Sequence, residues 1–461
     1  MKAPVNVVIL AAGLGTRMKS KRAKVLHRAG GLTLIEQVVR TALSMTSPDH
    51  VTVVVGHQAE EVKTLLASSG VRFVHQAEQK GTGHALLLCR EALASQGGLV
   101  VTLYGDAPLF SSDTLRALVD RQDGSDAAAT VITARVDDPT GYGRMVFGER
   151  GELKAIVEHK AATPEQLAIG LINSGIYCFR AELLWKYISQ IRTNNAAHEY
   201  YLTDMVEILN GGGHWVAAME VVDSEEVLGI NTRVELAVVD RVFRERKTRQ
   251  LMLDGVTIEK PETVTIDDAA QIGRDSIVEP FAQILGRTEI GEDCRIGACS
   301  IVENSKLAGG VHVLPFTSVQ DSQLETGVRV GPFARLRNGN RVGAGARIGN
   351  FVELKNTKLG AGAKANHLAY LGDSEVGDKS NIGAGTITCN YDGVNKHRTV
   401  IGKDAFTGSN STLVAPVEIG DAGYVAAGSV ITDNVPPGAL ALGRSRQVVK
   451  EGWVAKKKKK K

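Results

Sequence analysis

Hydrophobic and polar positions follow two different patterns along this chain. Over about the first 230 residues, apolar β-branched runs alternate with segments whose apolar residues have helical spacing. The runs predicted as strands are Val5–Leu10, Val51–Val55, Leu99–Tyr104 and Ala129–Ile132, and the patterns predicted as helices include Thr33–Ser44 and His84–Ala94. This alternation predicts an α/β domain with a mainly parallel sheet. Ligands of such sheets bind beyond the carboxyl ends of the strands, which directs attention to the loops after Leu10 and Tyr104.

From about Ile272 onward, an aliphatic residue recurs at every sixth position. The first series is Ile272, Val278, Ile284, Ile290, Ile296 and Val302, and later series run from Leu324 to Leu354, from Val376 to Ile382 and from Leu413 to Ile431. A period of six suits neither a helix nor a simple strand. It suits a parallel β-helix, in which each hexad forms one side of a triangular coil and the aliphatic residue points inward. About 160 residues at three hexads per coil predict roughly nine coils.

A segment rich in charged and aliphatic residues, Thr232–Leu253, separates the two patterns and is predicted to be a long connecting helix with a solvated face. We therefore expect a first domain at 1–231, a linker helix at 232–254, a β-helix domain at 255–446 and a basic tail at 447–461.

The amino-acid composition of the chain argues against some classes of function. The net charge is +3, and the six lysines from Lys456 to Lys461 exceed that value by themselves, so the body is close to neutral and a nucleic-acid binder is not expected. The lysine tail is expected to be solvated and disordered. No run of 18 apolar residues and no secretory signal are found, which predicts a cytoplasmic protein without stable membrane insertion. Five cysteines without a CxxC pair predict free thiols.

The loop that follows the first predicted strand, Leu10 to Met18, is rich in small residues. Such residues let the backbone approach a phosphate or a base, although many loops of this kind are only tight turns. The loop is neither a P-loop nor a dinucleotide fingerprint, because the required spacings are missing. Arg17 and Lys24 add two cations. Asp106, at the end of another strand, suits a metal ligand and a helix cap before Ser111 equally well.

This loop and Lys24–His27 resemble the opening of sugar-phosphate nucleotidylyltransferases. A narrower resemblance, to the bacterial bifunctional N-acetylglucosamine-1-phosphate uridylyltransferase/glucosamine-1-phosphate N-acetyltransferase family, rests on further segments: Gln76–Ala85, Tyr104–Leu109, Gly141–Arg144, Glu158–Lys160, Asn173–Gly175, Glu199–Tyr201 and Gly229–Asn231. Two positions depart from this family, because Ala23 and Asn338 stand where it usually has proline.

For the first domain, the resemblance implies a Rossmann-like nucleotidyltransferase that transfers uridylyl from UTP to N-acetylglucosamine-1-phosphate. It implies Mg²⁺ held by Asp106 and Asn231, with Arg17 and Lys24 as catalytic cations. The implied contacts to the UDP-sugar are Leu10, Ala11, Ala12, Gly13, Lys24, Gln76, Gly81, Thr82, Tyr104, Gly105, Asp106, Gly143, Glu158, Asn173 and Asn231.

In the second half, polar residues interrupt the hexads within one region. They are Arg337, Lys355, Asn366, His367, Tyr370, Asn381, Asn390, Tyr391 and Ser409, and the period fails between Asn390 and Thr399, where a loop must leave the coil. A lone histidine is more often structural, but the polar groups around His367 favour a catalytic role. The segments Arg337–Gly339, Gly349–Lys355, Asn366–Leu368 and Gly383–Gly393 resemble the left-handed β-helix acetyltransferase half of the same family.

The resemblance implies acetyl transfer from acetyl-CoA to glucosamine-1-phosphate, with His367 as general base, Glu353 fixing its tautomer, and backbone amides near Tyr391 holding the oxyanion. The implied ligands of the amino-sugar phosphate are Arg337, Lys355, Tyr370 and Asn381, and those of acetyl-CoA are Ala384, Asn390, Tyr391, Ser409, Ala427 and Arg444. A homotrimer that supplies peptidoglycan and lipopolysaccharide precursors is also implied. The alternative is a single-activity nucleotidylyltransferase with a structural or regulatory β-helix.

Overall fold

The computed structural model describes residues 3–149, 151–195 and 198–458, and the chain divides into two compact units, Met1–Phe243 and Arg244–Lys461. The boundary falls inside a long helix, Arg233–Leu253. Lys459 to Lys461 of the expected tail lie outside the described residues. The expectation of disorder is wrong for Lys456 to Lys458, which end a short exposed helix that begins at Trp453.

The first unit is built on a nine-stranded sheet within the described residues. Its main path runs through Val216–Glu220, Ala129–Arg135, Leu171–Arg180, Leu99–Tyr104, Val5–Ala11, Val51–Val55 and Arg72–His75, and the hairpin Arg144–Phe147 and Leu153–Val157 joins at Leu171–Arg180. A small separate hairpin comprises Arg28–Ala29 and Leu32–Thr33. The α-helices of this unit are Leu34–Leu43, Ala59–Leu65, Thr82–Leu87, Arg90–Leu93, Ser112–Asp123, Pro164–Leu167, Ala181–Tyr187, Met205–Gly211 and the start of Arg233–Leu253.

The four predicted strands are present, and the strand Val5–Ala11 pairs in parallel with both of its neighbours. The sheet is mixed, because Leu171–Arg180 runs antiparallel between Leu99–Tyr104 and Ala129–Arg135. The predicted helix at Thr33–Ser44 begins at Leu34, where Thr33 and Glu36 form a reciprocal capping box. The pattern at His84–Ala94 forms two short helices rather than one.

The second unit is a parallel β-helix whose three faces carry eleven, ten and nine strands in the described residues. The first face consists of Thr257–Ile258, Ile277–Val278, Arg295–Ile296, His312–Val313, Arg329–Val330, Arg347–Asn350, Lys364–His367, Asn381–Ile382, Phe406–Thr407, Tyr424–Val425 and Leu440–Ala441. The second face consists of Thr265–Ile266, Gln283–Leu285, Ile301–Glu303, Ser318–Gln320, Arg335–Arg337, Glu353–Lys355, Tyr370–Gly372, Ile387–Cys389, Thr412–Val414 and Val430–Ile431. The third face consists of Gln271–Ile272, Glu289–Ile290, Lys306–Leu307, Gln323–Leu324, Arg341–Val342, Lys358–Leu359, Ser374–Val376, Thr399–Ile401 and Val417–Ile419.

The predicted hexad residues fill the interior of this coil. Val278, Ile284, Ile296 and Val302 are fully buried, and the later series from Leu324 to Leu354 is buried as well. The coil begins at Thr257, earlier than the regular period from Ile272 suggested, which adds one strand to each of the first two faces, and Leu440–Ala441 adds a further strand to the first face. Stacked layers thus bury one continuous aliphatic column, which is the main source of stability in a solenoid.

No helix among the described residues is both long and apolar enough to cross a membrane. Within the same residues, all five cysteines are free, and Cys299 is exposed.

Candidate active sites

The first site lies at the carboxyl end of the strand Val5–Ala11. The chain there turns through Gly15, whose φ of 62° favours glycine and where a Cβ would approach Lys24 Cβ to 2.6 Å. The cavity at this end has a volume of about 430 Å³. Ten of the predicted UDP-sugar contacts line it: Leu10, Ala11, Ala12, Gly13, Lys24, Gln76, Gly81, Thr82, Tyr104 and Asp106. Gln79 and Glu199 also line it, although neither was predicted as a site residue.

Arg17, Lys24, Asp106 and Asn231 meet at the edge of this cavity. Lys24 Nζ donates to Asp106 Oδ2 and, at 3.3 Å, to Asn231 Oδ1, which also accepts a hydrogen bond of 2.7 Å from Arg17 Nη2. Asn231 reaches this position because the Ile230 N–H donates to the Asp106 carbonyl at 2.9 Å. Four predicted residues from three distant segments are therefore brought together.

The donor set fits the predicted magnesium ion. Asp106 Oδ2 and Asn231 Oδ1 contact the same ammonium group, so the two oxygens lie close enough to share one cation. Magnesium prefers hard oxygen ligands and usually takes only one or two from the protein, the rest being water and phosphate. The alternative role of Asp106 as a helix cap is wrong, because Ser111 Oγ accepts from the Thr114 N–H and caps that helix.

Ala23 is the first departure from the family pattern. Its φ of −56° is one that proline also adopts, so the backbone keeps the expected conformation. Its N–H donates to Gln58 Oε1, a hydrogen bond that proline cannot form. Gln58 therefore fixes the turn that carries Lys24.

The predicted sugar contacts Gly143, Glu158 and Asn173 are not among the residues that line this cavity. The Asn173 N–H donates to the Gly143 carbonyl at 2.9 Å, and Asn173 Nδ2 donates to the Tyr177 hydroxyl at 3.1 Å. Glu158 Oε1 accepts a hydrogen bond from Thr203 Oγ1 at 3.4 Å, and burial raises the pKa of Glu158. Burial also raises the pKa of Tyr104, so this phenol stays neutral at the cavity wall.

Gly105 lies behind the cavity wall rather than on it, and its N–H donates to the Leu10 carbonyl at 3.0 Å. This bond continues the pairing of the two strands that carry the site.

The second site lies at the corner between the first and second faces of the β-helix. His367 ends the strand Lys364–His367 and stands in register with Asn350 of the preceding coil. Its Nδ1 lies 2.8 Å from Asn350 Oδ1, and the imidazole is exposed. Because Asn350 Oδ1 can only accept, this contact favours the neutral tautomer that carries its proton on Nδ1 and leaves the Nε2 lone pair free.

The described residues show no hydrogen bond between Glu353 and His367, whose pairing stays a prediction. Glu353 belongs to the second face, where it opposes Tyr370, while His367 ends a first-face strand that opposes Asn350. Glu353 Oε1 instead accepts from Arg337 Nε at 2.6 Å. The residue whose contact favours this tautomer of His367 is Asn350, which sequence reasoning missed because it depends on the register between coils.

Asp373 is a further residue that sequence reasoning missed. Its carboxylate accepts hydrogen bonds from Lys355 Nζ at 3.2 Å, from Asn356 Nδ2 at 2.7 Å and from Asn390 Nδ2. Partial burial raises the pKa of Asp373, but these side-chain hydrogen bonds outweigh burial and hold the pKa below its usual range. Two predicted ligands, Lys355 and Asn390, are therefore fixed by one ionised carboxylate. Tyr370 lies nearby, and its hydroxyl packs on the backbone of Gly372, where a Cβ would come within 2.4 Å.

Four predicted residues occupy one column along the same corner. The Asn410 N–H donates to the Ala384 carbonyl at 2.7 Å, and the Gly428 N–H donates to the Ser409 carbonyl at 2.8 Å. This ladder places His367, Ala384, Ser409 and Ala427 in successive coils. Arg444 follows the last strand of the first face, Leu440–Ala441, and is exposed. Asn381 lies between Lys364 and Phe406 on the first face.

The loop that leaves the coil lies in the predicted segment between Asn390 and Thr399. The Asn390 and Asp392 N–H groups donate to the Thr388 and Asn395 carbonyls. The Tyr391 hydroxyl donates to the Gly393 carbonyl, and its ring is exposed.

At Asn338, the second departure from the family pattern, φ is 64°, which proline cannot adopt. The turn after Arg337 therefore has its own geometry in this chain.

Family profiles of known proteins match segments of both the α/β unit and the β-helix unit. A family profile described as MobA-like NTP transferase domain matches residues 7–166. Profiles described as Bacterial transferase hexapeptide (six repeats) and Hexapeptide repeat of succinyl-transferase match residues 269–304 and 398–433.

Relatives named Bifunctional protein GlmU match almost the whole chain. The protein of Solibacter usitatus (strain Ellin6076) is 60% identical over 459 residues, covering 100% of this chain and 98% of the relative. That of Koribacter versatilis (strain Ellin345) is 48% identical over 98% of this chain and 97% of its own length. That of Shouchella clausii (strain KSM-K16) is 46% identical over 97% of this chain and 98% of its own length.

Proposed function

The chain belongs to the family of proteins named Bifunctional protein GlmU, and on this premise we propose that it makes UDP-N-acetylglucosamine in two steps. The β-helix transfers an acetyl group from acetyl-CoA to the amine of glucosamine-1-phosphate. The α/β domain then transfers uridylyl from UTP to N-acetylglucosamine-1-phosphate and releases pyrophosphate. The observation that carries the proposal is 60% identity across both halves to a relative named as bifunctional. A single activity with a merely structural β-helix is not favoured for the same reason.

In uridylyl transfer, an oxygen of the sugar phosphate attacks the α-phosphorus of UTP while the bond to the leaving pyrophosphate breaks. The protein's task is to position the reactants and to neutralise charge. Arg17 and Lys24 supply that positive charge at the edge of the cavity. Asp106 and Asn231 would hold Mg²⁺, which when bound stabilises negative charge on the phosphate oxygens. Gln76, Gly81 and Thr82 would contact the uracil, and Gly143, Glu158 and Asn173 the sugar.

In acetyl transfer, the amine attacks the thioester carbon, a C–N bond forms, and the C–S bond breaks to release the CoA thiolate. The amine must lose a proton, and His367 Nε2 is available for it because Asn350 engages the other ring nitrogen. Arg337 and Lys355 would bind the phosphate of the sugar. Glu353 and Asp373 hold these two cations in place.

Several finer features complete the proposal. The resident metal is Mg²⁺, the protein works as a homotrimer in the cytoplasm, and its product supplies peptidoglycan and lipopolysaccharide synthesis. Ala384, Ser409, Ala427 and Arg444 line the path of acetyl-CoA. The hexapeptide repeats support self-association, and the oxygen ligands at Asp106 and Asn231 support the choice of metal.

The test is to incubate the protein with glucosamine-1-phosphate, acetyl-CoA, UTP and Mg²⁺ and to follow products by mass spectrometry. UDP-N-acetylglucosamine should form, and omission of acetyl-CoA should stop it unless N-acetylglucosamine-1-phosphate is supplied. His367→Ala should reduce acetyl transfer by about 10²–10⁴-fold and leave uridylyl transfer intact. Asp106→Ala should do the reverse.

Matched controls are available in both units. His312→Ala removes another outward-facing histidine of the first face, and Asp113→Ala removes a carboxylate from the first turn of the helix Ser112–Asp123. Both should leave the two reactions unchanged. Formation of acetylated sugar without any nucleotide sugar, or the converse, would contradict the two-step function.

A further inference from the structure

Gln58 has a backbone conformation that its residue type rarely adopts. It lies between the strand Val51–Val55 and the helix Ala59–Leu65, with a φ of 54° and a ψ of 39°. Any residue with a Cβ is strained in this left-handed region, and glycine is the residue that such a turn favours. The backbone therefore does not explain why glutamine stands here, and the contacts of its side chain must.

The two ends of the Gln58 amide have different partners. Its Oε1 accepts a hydrogen bond from the Ala23 N–H, and its Nε2 donates to Glu61 Oε1 at 2.9 Å. A backbone N–H can only donate and a carboxylate accepts, so these two neighbours together fix which end of the amide faces Ala23. The side chain does not cap the helix that follows it, and both of its polar ends are used in these two contacts.

Ala23 depends on this acceptor because its N–H is shielded from water. Ala23 is 1% exposed, and a buried N–H that loses its partner is costly. Ala23 also begins the 3₁₀ turn Lys24–Leu26, since its carbonyl accepts from the Leu26 N–H at 3.0 Å. Removal of the Gln58 side chain therefore releases the residue on which this turn starts.

The same turn directs Lys24 into the first candidate site. Lys24 Nζ donates to Asp106 and Asn231, and the side chain of Lys24 is 14% exposed. Its Cβ packs so closely on Gly15 that an added Cβ there would come within 2.6 Å. Because the start of the side chain has little room, a rotation of the turn displaces the ammonium group instead of being absorbed by the side chain.

The residues just before Gln58 are held against the wall of the same cavity. The His57 N–H donates to the Ala12 carbonyl at 3.4 Å, and a Cβ at Gly56 would lie 2.7 Å from the same oxygen. Ala12 lines the cavity. Gln58 thus connects the turn that carries Lys24 to a part of the chain that is already packed on the cavity wall.

We propose that Gln58 is a positioning residue for uridylyl transfer and restricts the Lys24 turn as a proline at position 23 would. Proline holds φ at about −65° and has no N–H, so it needs no acceptor. Ala23 has a φ of −56° without that covalent restriction, and the contact with Gln58 supplies it. The proposal rests on the proposed uridylyl transfer, in which Lys24 neutralises charge as pyrophosphate leaves.

The test removes the Gln58 side chain without straining the backbone. Gln58→Gly suits a φ of 54°, so relief of strain offsets the lost hydrogen bond and the fold is retained. We expect kcat of uridylyl transfer to fall by about 10–100-fold, because misplacement by about 1 Å has an effect of that size. KM for UTP should change by less than about threefold, since the lost interaction acts mainly in the transition state. Pyrophosphate release at saturating N-acetylglucosamine-1-phosphate and Mg²⁺ is the readout.

Ala23→Pro provides the matched rescue. Alone, it should leave kcat within about threefold of the unchanged protein, because the φ of Ala23 already suits proline. In the double variant Ala23→Pro/Gln58→Gly, kcat should return to within about threefold of Ala23→Pro, because no N–H is left without an acceptor. Lys260→Gly is the control for the glycine substitution itself. Lys260 is an exposed residue of the second unit with a φ of 51°, and its replacement should leave uridylyl transfer unchanged.

Amide hydrogen exchange reports on the same contact without any reaction. In Gln58→Gly, the Ala23, Leu26 and His27 amides should exchange about tenfold faster or more than in the unchanged protein, because the turn opens more often. In the double variant, the Leu26 and His27 amides should regain their protection.

The proposal and the proposed function fail separately. Full kcat in Gln58→Gly, or a loss of the same size in the Ala23→Pro background, overturns the positioning role. Exchange rates that Gln58→Gly leaves unchanged overturn the restriction of the turn. A protein that releases no pyrophosphate, while its exchange rates respond as expected, overturns the proposed function and leaves the contact between Gln58 and Ala23 standing.

Discussion

Asp373→Asn should weaken binding of the amino-sugar phosphate without removing the general base. The side chains of Lys355 and Asp373 are 12% and 15% exposed, so their contact is only weakly screened by water. An amide at position 373 offers one acceptor in place of two oxygens, and at least one of the donors from Lys355, Asn356 and Asn390 then faces an NH₂ group.

The magnitude follows from the hydrogen bond that is lost. A hydrogen bond to a charged group is worth about 1.5–3 kcal/mol, and about 2 kcal/mol corresponds to roughly 30-fold in affinity. We expect KM for glucosamine-1-phosphate to rise by about that factor, with a smaller change in kcat and none in uridylyl transfer. Because the pKa of Asp373 is lowered, the carboxylate stays ionised in neutral assays, and the effect should not vary between about pH 6 and pH 8.

The assay is steady-state acetyl transfer at saturating acetyl-CoA, with thiol release as the readout. Glu375→Gln is the matched control, because Glu375 accepts from Lys358 one coil earlier in the same way but on the third face. An unchanged KM in Asp373→Asn would refute the idea that this carboxylate positions Lys355 and Asn390. Equal effects of both variants would show a general loss of structure instead.

Three further predictions follow from single contacts. Asn350→Ala should lower kcat of acetyl transfer by about tenfold and change its pH profile, because the His367 tautomer is no longer fixed. Burial, and then neighbouring carboxylates, raise the pKa of Asp204 to about 6, so the stability from its protonation is present at low pH and is lost as pH rises through that value. Asp204→Asn should therefore raise the free energy of unfolding by about 1–2 kcal/mol near pH 8 and change it little near pH 4, as measured by urea denaturation. Gly175→Ala should lower that free energy by at least about 1–2 kcal/mol, because φ is 82° and the new Cβ would lie 2.6 Å from the Tyr104 ring.

For each of these three predictions, a specific result would contradict the reasoning. A pH profile unchanged by Asn350→Ala would mean that the neighbouring coil does not control the imidazole. Equal destabilisation by Asp204→Asn at both pH values would remove the electrostatic explanation. Full stability of Gly175→Ala would show that the Tyr104 ring moves aside without cost, and KM for UTP would report whether it does.

The sequence predicts most of the architecture because the architecture is periodic. The hexad residues from Ile272 to Val302 are buried, and the strand Val51–Val55 has the predicted bounds. The antiparallel strand Leu171–Arg180 was not foreseen, since its apolar run carries no signal for direction.

Site residues could be predicted where the residue type itself indicates its chemistry. They could not be predicted where a contact depends on how two coils of the β-helix align. Asp106 and Asn231 meet as expected, because both lie at turns that the sheet places at one edge. Asn350 and Asp373 lie 17 and 18 positions from their partners His367 and Lys355, and that offset is set by the length of each coil. A loop such as the one after Asn390 changes the number of residues in its coil, so such partners cannot be read from a fixed spacing alone.

The β-helix fixes the distances along its axis between His367, Ala384, Ser409 and Ala427, which form one column. Each coil advances the corner by one strand spacing, so His367 and Ala427 are separated by three fixed steps, or about 14 Å. A loop that leaves a coil adds residues to that coil but does not change the spacing between neighbouring coils. A change in the distance between these positions would therefore require a whole turn to be added or deleted, and point substitutions along the column would leave that distance unchanged.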